Sequence, residues 1–527
     1  MSETKSTPAF EARPRCCPCG GDHEPSGNAL TRRDFIKGAG MTALGSVAAG
    51  GLAWPLLGGQ AEAAGPVWRP APLKVKPVLV YDTPQRRPQT SWRNWGGIAT
   101  EADAKAEAGR IRDELTALTN KAEFPVEVMP VAAVRKAGDL AGARDLDDAH
   151  VLLVYAAGGW LDVYDALDKT GKDRILFCRH KSGPVYLWYE IISPRYLRKH
   201  GDSLAVRGVD EDDVVIDSQD EILWRLRALA GLRNTLGTKI LAVGGPAAWS
   251  EPDGAGSVVK SVIEKWKFDI VTVAYDDLGR LIREARADAA TVRRARSRAD
   301  AYLRQPGTSL ETERPFVENG LLLDEVFRAL MKQAGTRALT INGCMGTIMP
   351  LAETSACLTL STLNDDGYLA FCESDFVVIP SGVLMANIAG RPVFLNDPTY
   401  PHDGIITLAH CTAPRKMDGR KADPARILTH FESDYGAAPK VEMRKGQVVT
   451  NIAPDFAGKR WLGLRAEIVE APFLPICRSQ IDVRFKCDDR TLAQRMPGFH
   501  WMTAYGDCTR ELAYALKRVG IAWDFLG

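Results

Sequence analysis

No stretch of the 527 residues completes G-x-G-x-x-G or the Walker phosphate-loop pattern, which disfavours the common dinucleotide and nucleotide sites. Two glycine-rich turns, Ala156-Ala-Gly-Gly159 and Val243-Gly-Gly-Pro246, follow strand-like runs as phosphate loops do, yet neither fits. An excess of charge of one sign is also lacking. Lys+Arg 67 against Asp+Glu 66 leaves a formal charge of +1, so nothing global argues for nucleic acid or an anionic membrane as partner. The densest basic run, Arg293-Arg-Ala-Arg-Ser-Arg298, has no interleaved aromatics and reads as a solvated helix face. A neutral, polyhydroxylated small molecule suits this balance. Long apolar runs are scarce. The stretch from Gly38 to Gly59 is rich in Gly and Ala and broken by Pro55, a poor bilayer span, so no stable membrane span is expected.

Paired cysteine spacing is missing as well. Of 11 cysteines, Cys16, Cys17 and Cys19 cluster near the start, and Cys178, Cys344, Cys357, Cys372, Cys411, Cys477, Cys487 and Cys508 are scattered without C-x-x-C. That scatter argues against a zinc ribbon or a disulfide scaffold, and free thiols buried as small hydrophobes are the expectation.

Among the patterns present, Thr31-Arg32-Arg33-Asp34-Phe35-Ile36-Lys37 is a twin-arginine signal, followed by the weakly apolar run and the small-residue site Ala61-Glu62-Ala63. A leader over 1–63, removed on export to the periplasm or another extracytoplasmic space, is expected. After a proline-rich linker, strand-like and helix-like segments alternate, the signature of α/β units built from crossovers. Strands are predicted at Val78–Tyr81, Val151–Val154, Lys239–Val243, Ile270–Val273 and Leu339–Ile341; helices at Ala102–Thr119, Gln219–Thr235, Gly256–Trp266, Asp277–Arg304 and Leu321–Ala334. Two α/β units follow, with a junction near Lys172: an N-terminal domain over 64–172 and a central one over 173–398. Past His410 the texture becomes β-rich. A hairpin is predicted over Lys440–Ile452 around Lys445-Gly446, with strands at Arg460–Glu470 and Gln480–Lys486 and a helix at Cys508–Val519. These segments make a C-terminal domain over 399–527.

Two carboxylates stand out. Glu373 follows the run Tyr368–Cys372, Asp397 follows Pro392–Asn396, and one helix-sized apolar segment separates them. A strand, crossover helix and strand would put both residues at the carboxyl edge of one parallel sheet. Neighbouring strands are about 4.8 Å apart, so the pair is a candidate cation site. Asp397 precedes Pro398 and would also serve as a turn opener. Among the histidines, His410 ends the apolar run Ile405–Ala409, and His500 lies in a loop flanked by Gly498 and aromatic residues. Asp375 is either a partner that orients a ligand or the cap of the helix after Phe376.

Phe371-Cys-Glu-Ser-Asp-Phe376, Gly390-Arg-Pro-Val-Phe-Leu-Asn-Asp-Pro-Thr-Tyr400 and Gly498-Phe-His-Trp501 together resemble the L-fucose isomerase and L-arabinose isomerase superfamily, most closely its fucose isomerase-like branch. The similarity is clearest from about Asn342 to Asp423 and from about Met496 onward. It implies two Rossmann-like α/β units with parallel sheets, followed by a β-rich C-terminal domain. It also implies Mn²⁺, or Co²⁺ or Mg²⁺ in its place, held by Glu373, Asp397 and His500, with no organic cofactor. His410, Asp375 and Asn396 would contact the sugar or orient the ligands. The implied activity is aldose–ketose isomerisation through a cis-enediolate, with Glu373 and Asp397 as proton carriers, in a homo-oligomer. An exported sugar-binding protein, or a lyase, epimerase or hydrolase built on the same residues, is the alternative, because fold carries further than reaction.

Overall fold

A computed structural model describes residues 70–527 apart from 94, 187–190 and 252–255. The twin-arginine segment and Cys16, Cys17 and Cys19 lie outside the described residues. The first sheet contains β1 (Leu73–Val80), β2 (Val126–Val128), β3 (Ala132–Val134), β4 (Val151–Ala156), β5 (Asp173–Cys178) and β6 (Val214–Ile216). Its order is β2-β1-β4-β5-β6 with β3 also on β1, and every pairing is parallel. β4 is buried along its whole length, as a parallel strand covered on both faces must be. The sheet runs straight through Lys172, so the predicted junction there falls between two hydrogen-bonded strands. The second sheet follows the helix Gln219–Thr235, capped by the Ser218 hydroxyl on the amide of Glu221.

That second sheet holds β7 (Lys239–Val243), β8 (Asp269–Val273), β10 (Ala338–Ile341) and β11 (Leu369–Phe371), in the parallel order β11-β10-β7-β8. β9 (Thr308–Leu310) lies elsewhere, against β14 (Ala425–His430), which also pairs β15 (Tyr435–Val441). The single helix predicted over Asp277–Arg304 is two, Tyr275–Ala287 and Ala289–Leu303. Asp288 takes a non-helical ψ of 106° and its carboxylate caps the second helix on the amides of Ala290 and Thr291. The basic run on that helix is not simply solvated: Arg294, Arg296 and Arg298 pair with Glu325, Glu318 and the buried Asp324 of the helix Arg314–Ala334.

The C-terminal region is a closed barrel of six antiparallel strands. β12 (Phe394–Pro398), β13 (Ile405–His410), β18 (Ser479–Arg484), β17 (Arg460–Glu470), β16 (Val448–Pro454) and β19 (Trp501–Tyr505) form the ring, and β20 (Ala522–Leu526) adds to β17 in parallel. Two expectations change here. β15 and β16 flank Lys445-Gly446 but join different sheets, so there is no hairpin between them; Gly446 donates instead to the Ile468 carbonyl. More consequentially, β11 and β12 are not neighbours in one sheet. β11 ends the parallel sheet, whereas β12 pairs antiparallel with β13 and β19, so the barrel starts before Asp397 and includes it. The helix Ile379–Ala389 links the two layers.

That linking helix is apolar and almost wholly buried. It packs on the helix Gln219–Thr235 at Gly231, where an added Cβ would lie 2.3 Å from Ile388 Cγ1 and 3.1 Å from its backbone. Side chains yield at such contacts more readily than backbone does. Gly231→Val is therefore expected to cost about 3 kcal/mol in urea unfolding, and a loss under 1 kcal/mol would show that the two helices slide apart freely.

Candidate metal centre

The two layers meet at one group of side chains. β11 delivers Glu373 on a turn with positive φ at two successive residues, Glu373 (66°) and Ser374 (45°). Left-handed backbone costs a non-glycine residue about 1 kcal/mol or more and persists only where surroundings hold it. Here the loop after β7 holds it: the Ala247 amide donates to the Ser374 carbonyl at 3.1 Å and the Phe376 amide to the Ala247 carbonyl at 2.9 Å. Asp375 Oδ1 accepts from the amides of Val377 (3.1 Å) and Trp249 (3.4 Å).

Barrel register delivers the rest. The β12–β19 ladder ends at Asn396 opposite Trp501, which brings the adjoining Asp397 and His500 side by side; on the other side Asp397 opposes Ala409, next to His410. The outcome is a tight cluster. His500 Nε2 lies 3.2 Å from Glu373 Oε2 and 3.4 Å from Asp397 Oδ1, and His500 Nδ1 lies 2.7 Å from Asp375 Oδ2. His410 Nε2 lies 3.5 Å from Glu373 Oε1, with its Nδ1 2.9 Å from the Thr412 hydroxyl. Asp375 thus orients His500 and closes the turn on the Val377 amide, but it does not cap the helix, which begins at Ile379 with Val378 as N-cap and no side-chain cap bond. Asn396 behaves differently: its amide donates to the Phe394 carbonyl (2.9 Å) and the Thr503 hydroxyl (3.0 Å), within the barrel's own polar contacts.

Sequence reasoning missed three members. Trp249 Nε1 donates to Glu373 Oε2 at 3.2 Å, and its ring stacks on Phe499 with centroids 4.8 Å apart. Thr412 fixes His410. Cys372, Glu373 and His410 bring ligand atoms within 4.8 Å of one another. A signal for Trp249 existed: it follows the Gly244-Gly245-Pro246 turn at the carboxyl end of β7, where open α/β sheets place ligands.

Electrostatics complete the picture. Burial opposes charge on Glu373, but the charge of His500 and the hydrogen bonds from His410 and His500 outweigh it and hold the carboxyl far below its usual range. Burial likewise opposes charge on His410, yet the hydrogen bond to Glu373 and the charges of Asp397 and Glu373 push it up to about 9. His500 is raised for the same reasons, through Glu373, Asp375 and Asp397. Two imidazoles packed among three carboxylates hold protons that a cation would replace. Carboxylate oxygens with imidazole nitrogens suit a first-row divalent ion, and a nearby thiol does not oppose one. Cys372, Glu373 and His410 could hold such an ion, with His500 Nε2 beside Glu373 and Asp397; Asp375 and Thr412 take up the far ring nitrogens.

Among the described residues no helix is long and apolar enough to cross a membrane. No protein-family model matches this chain, and a search of curated proteins returns no relative.

Proposed function

We propose that the protein is a divalent-metal-dependent sugar isomerase that interconverts an aldose and a ketose. The observation that supports this reading is the convergence of Glu373 and Asp397, from separate layers, on Nε2 of His500. Their side chains are 10% and 20% exposed while His500 is fully buried, so substrate reaches the carboxylates and not the imidazole. Glu373, Asp397, His410 and His500 would hold the ion, which when bound polarises the adjacent carbonyl and hydroxyl oxygens of the sugar.

The chain's own residues then carry the protons. Asp397, the more exposed carboxylate, takes the proton from C2 of the aldose and returns it to C1, while the O2 hydroxyl proton passes to O1. Such positioned proton transfer contributes roughly 10² to 10⁴ in rate. Asp375 accepts from Nδ1–H of His500 and so presents a bare Nε2 toward Glu373 and Asp397. Trp249, donating to Glu373 and stacked on Phe499, keeps that carboxylate pointed at the centre.

The test is proton exchange. Protein loaded with Mn²⁺ is incubated in deuterated water with pentoses, hexoses and deoxyhexoses, and C2 deuteration is followed by NMR. Metal-dependent exchange on at least one sugar is expected. Sugar binding without exchange, across metals and sugars, would replace this reading with that of a non-catalytic sugar-binding protein.

A further inference from the structure

The scattered cysteines are not scattered in space. Cys357 opens the helix Cys357–Asp365, Cys411 follows β13 directly, His430 ends β14, and Cys477 lies just before β18. Four separate segments thereby converge. The ligand atoms of Cys357, Cys411 and His430 lie within 4.8 Å of one another, and all three residues are buried. Cys477 packs beside Cys411 in the same buried cluster. Zn–S bonds of 2.3 Å in a tetrahedron imply ligand atoms about 3.7 Å apart, so closing Cys357, Cys411 and His430 on an ion asks for movement of about 1 Å, and Cys477, outside that group, must move further to join them.

Several independent contacts aim these atoms. The β14–β15 pairing shifts register between Leu428 and His430, and such irregularities re-aim side chains. His430 Nδ1 lies 3.1 Å from the Ser433 hydroxyl, leaving Nε2 as the coordinating nitrogen, the arrangement usual for metal-bound histidine. The Arg478 amide donates to Cys411 Sγ at 3.4 Å.

We propose that Cys357, Cys411 and His430, with Cys477 as the fourth donor, hold a zinc ion in a closed structural site. The proposal does not depend on the isomerase reading. All four donors belong to the protein and are buried, so no position is left open for substrate, which is the mark of a structural zinc site. Its bearing on the first centre is mechanical. His410 and Cys411 are consecutive, and at a strand end consecutive side chains point to opposite faces. The zinc therefore anchors the strand end that presents His410.

The experiment uses the whole chain, expressed with zinc and purified under reducing conditions without chelator. One equivalent of zinc is expected to remain in the Glu373→Gln/Asp397→Asn double variant, which has lost the ion of the carboxylate centre. Replacement by Co²⁺ should give intense tetrahedral d–d bands with thiolate-to-cobalt charge transfer, both lost in Cys411→Ser and His430→Gln. Should these variants not fold, titration of the native protein with p-hydroxymercuribenzoate serves instead, zinc being released in step with mercuration of the buried thiols. Cobalt spectra without thiolate charge transfer in the native protein would overturn the proposal. So would a Cys357–Cys411 disulfide in a non-reducing peptide map of the reloaded chain. A failure of sugar exchange alone leaves the zinc result untouched.

Discussion

Glu373→Gln is expected to remove the divalent ion of the carboxylate centre and to lower C2-proton exchange by roughly 10³-fold or more, with the fold retained. Glutamine keeps the size of the side chain and accepts from Trp249 Nε1, which lies 3.2 Å from Oε2, so packing survives. What is lost is the negative charge facing two imidazoles. Only one amide oxygen remains to face two ring nitrogens, His410 at 3.5 Å and His500 at 3.2 Å. Asp397→Asn is expected to reduce exchange as strongly while weakening ion binding less, because Glu373 faces both imidazoles at 3.5 and 3.2 Å whereas Asp397 Oδ1 lies 3.4 Å from His500 Nε2. Metal content by mass spectrometry and exchange by NMR separate the two. Equal exchange in Glu373→Gln and the native protein would remove this residue from the chemistry.

The second large effect is a pH dependence of stability in the metal-free protein. His410 is raised to about 9 from an ordinary value near 6.5. A raised group stabilises the fold fully below its unfolded value and loses that contribution as pH rises through the folded one. About 3 kcal/mol is therefore expected to disappear between pH 6.5 and 9. His500, raised through the same carboxylates, adds to the loss in the same direction. Glu373 is depressed, so its contribution is complete above about pH 4.5 and falls away on acidification. Urea unfolding of chelated protein should thus be most favourable to the fold between about pH 4.5 and 6.5. In the metal-loaded protein the ion has already displaced the imidazole protons. The alkaline loss should shrink, and loading near neutral pH should release protons measurable by buffer-dependent calorimetry. A flat alkaline limb in metal-free protein, or an unchanged one in His410→Gln, would rule out this assignment.

Local features of this chain were legible because they follow from local chemistry. The strand Lys239–Val243 and the helix Gln219–Thr235 have the predicted bounds, each set by a buried run with a turn or cap beside it. Pairing partners were not legible. Tyr368–Cys372 and Pro392–Asn396 both read as buried strands, and periodicity says nothing about whether a strand joins a parallel sheet or an antiparallel barrel. Glu373 and Asp397 meet for a different reason from the one their spacing suggests: barrel register places His500 and Ala409 beside Asp397. The thiol group was hidden for a related reason. Its donors come one each from four segments, so no C-x-x-C exists to be recognised, and only the fold brings them to one place. Asn396 shows the converse, a polar residue beside a candidate ligand whose bonds serve the barrel.

The centre's donors come from distant segments, and this has a kinetic consequence. Trp249 meets Glu373 across 124 residues of chain, and Asp375 meets His500 across 125. Contacts of such high sequence separation close late, after the loop-closure entropy has been met by other packing. An ion that binds only once both layers have docked does not speed folding. It acts as a latch on the finished structure, lowering the rate at which the layers part.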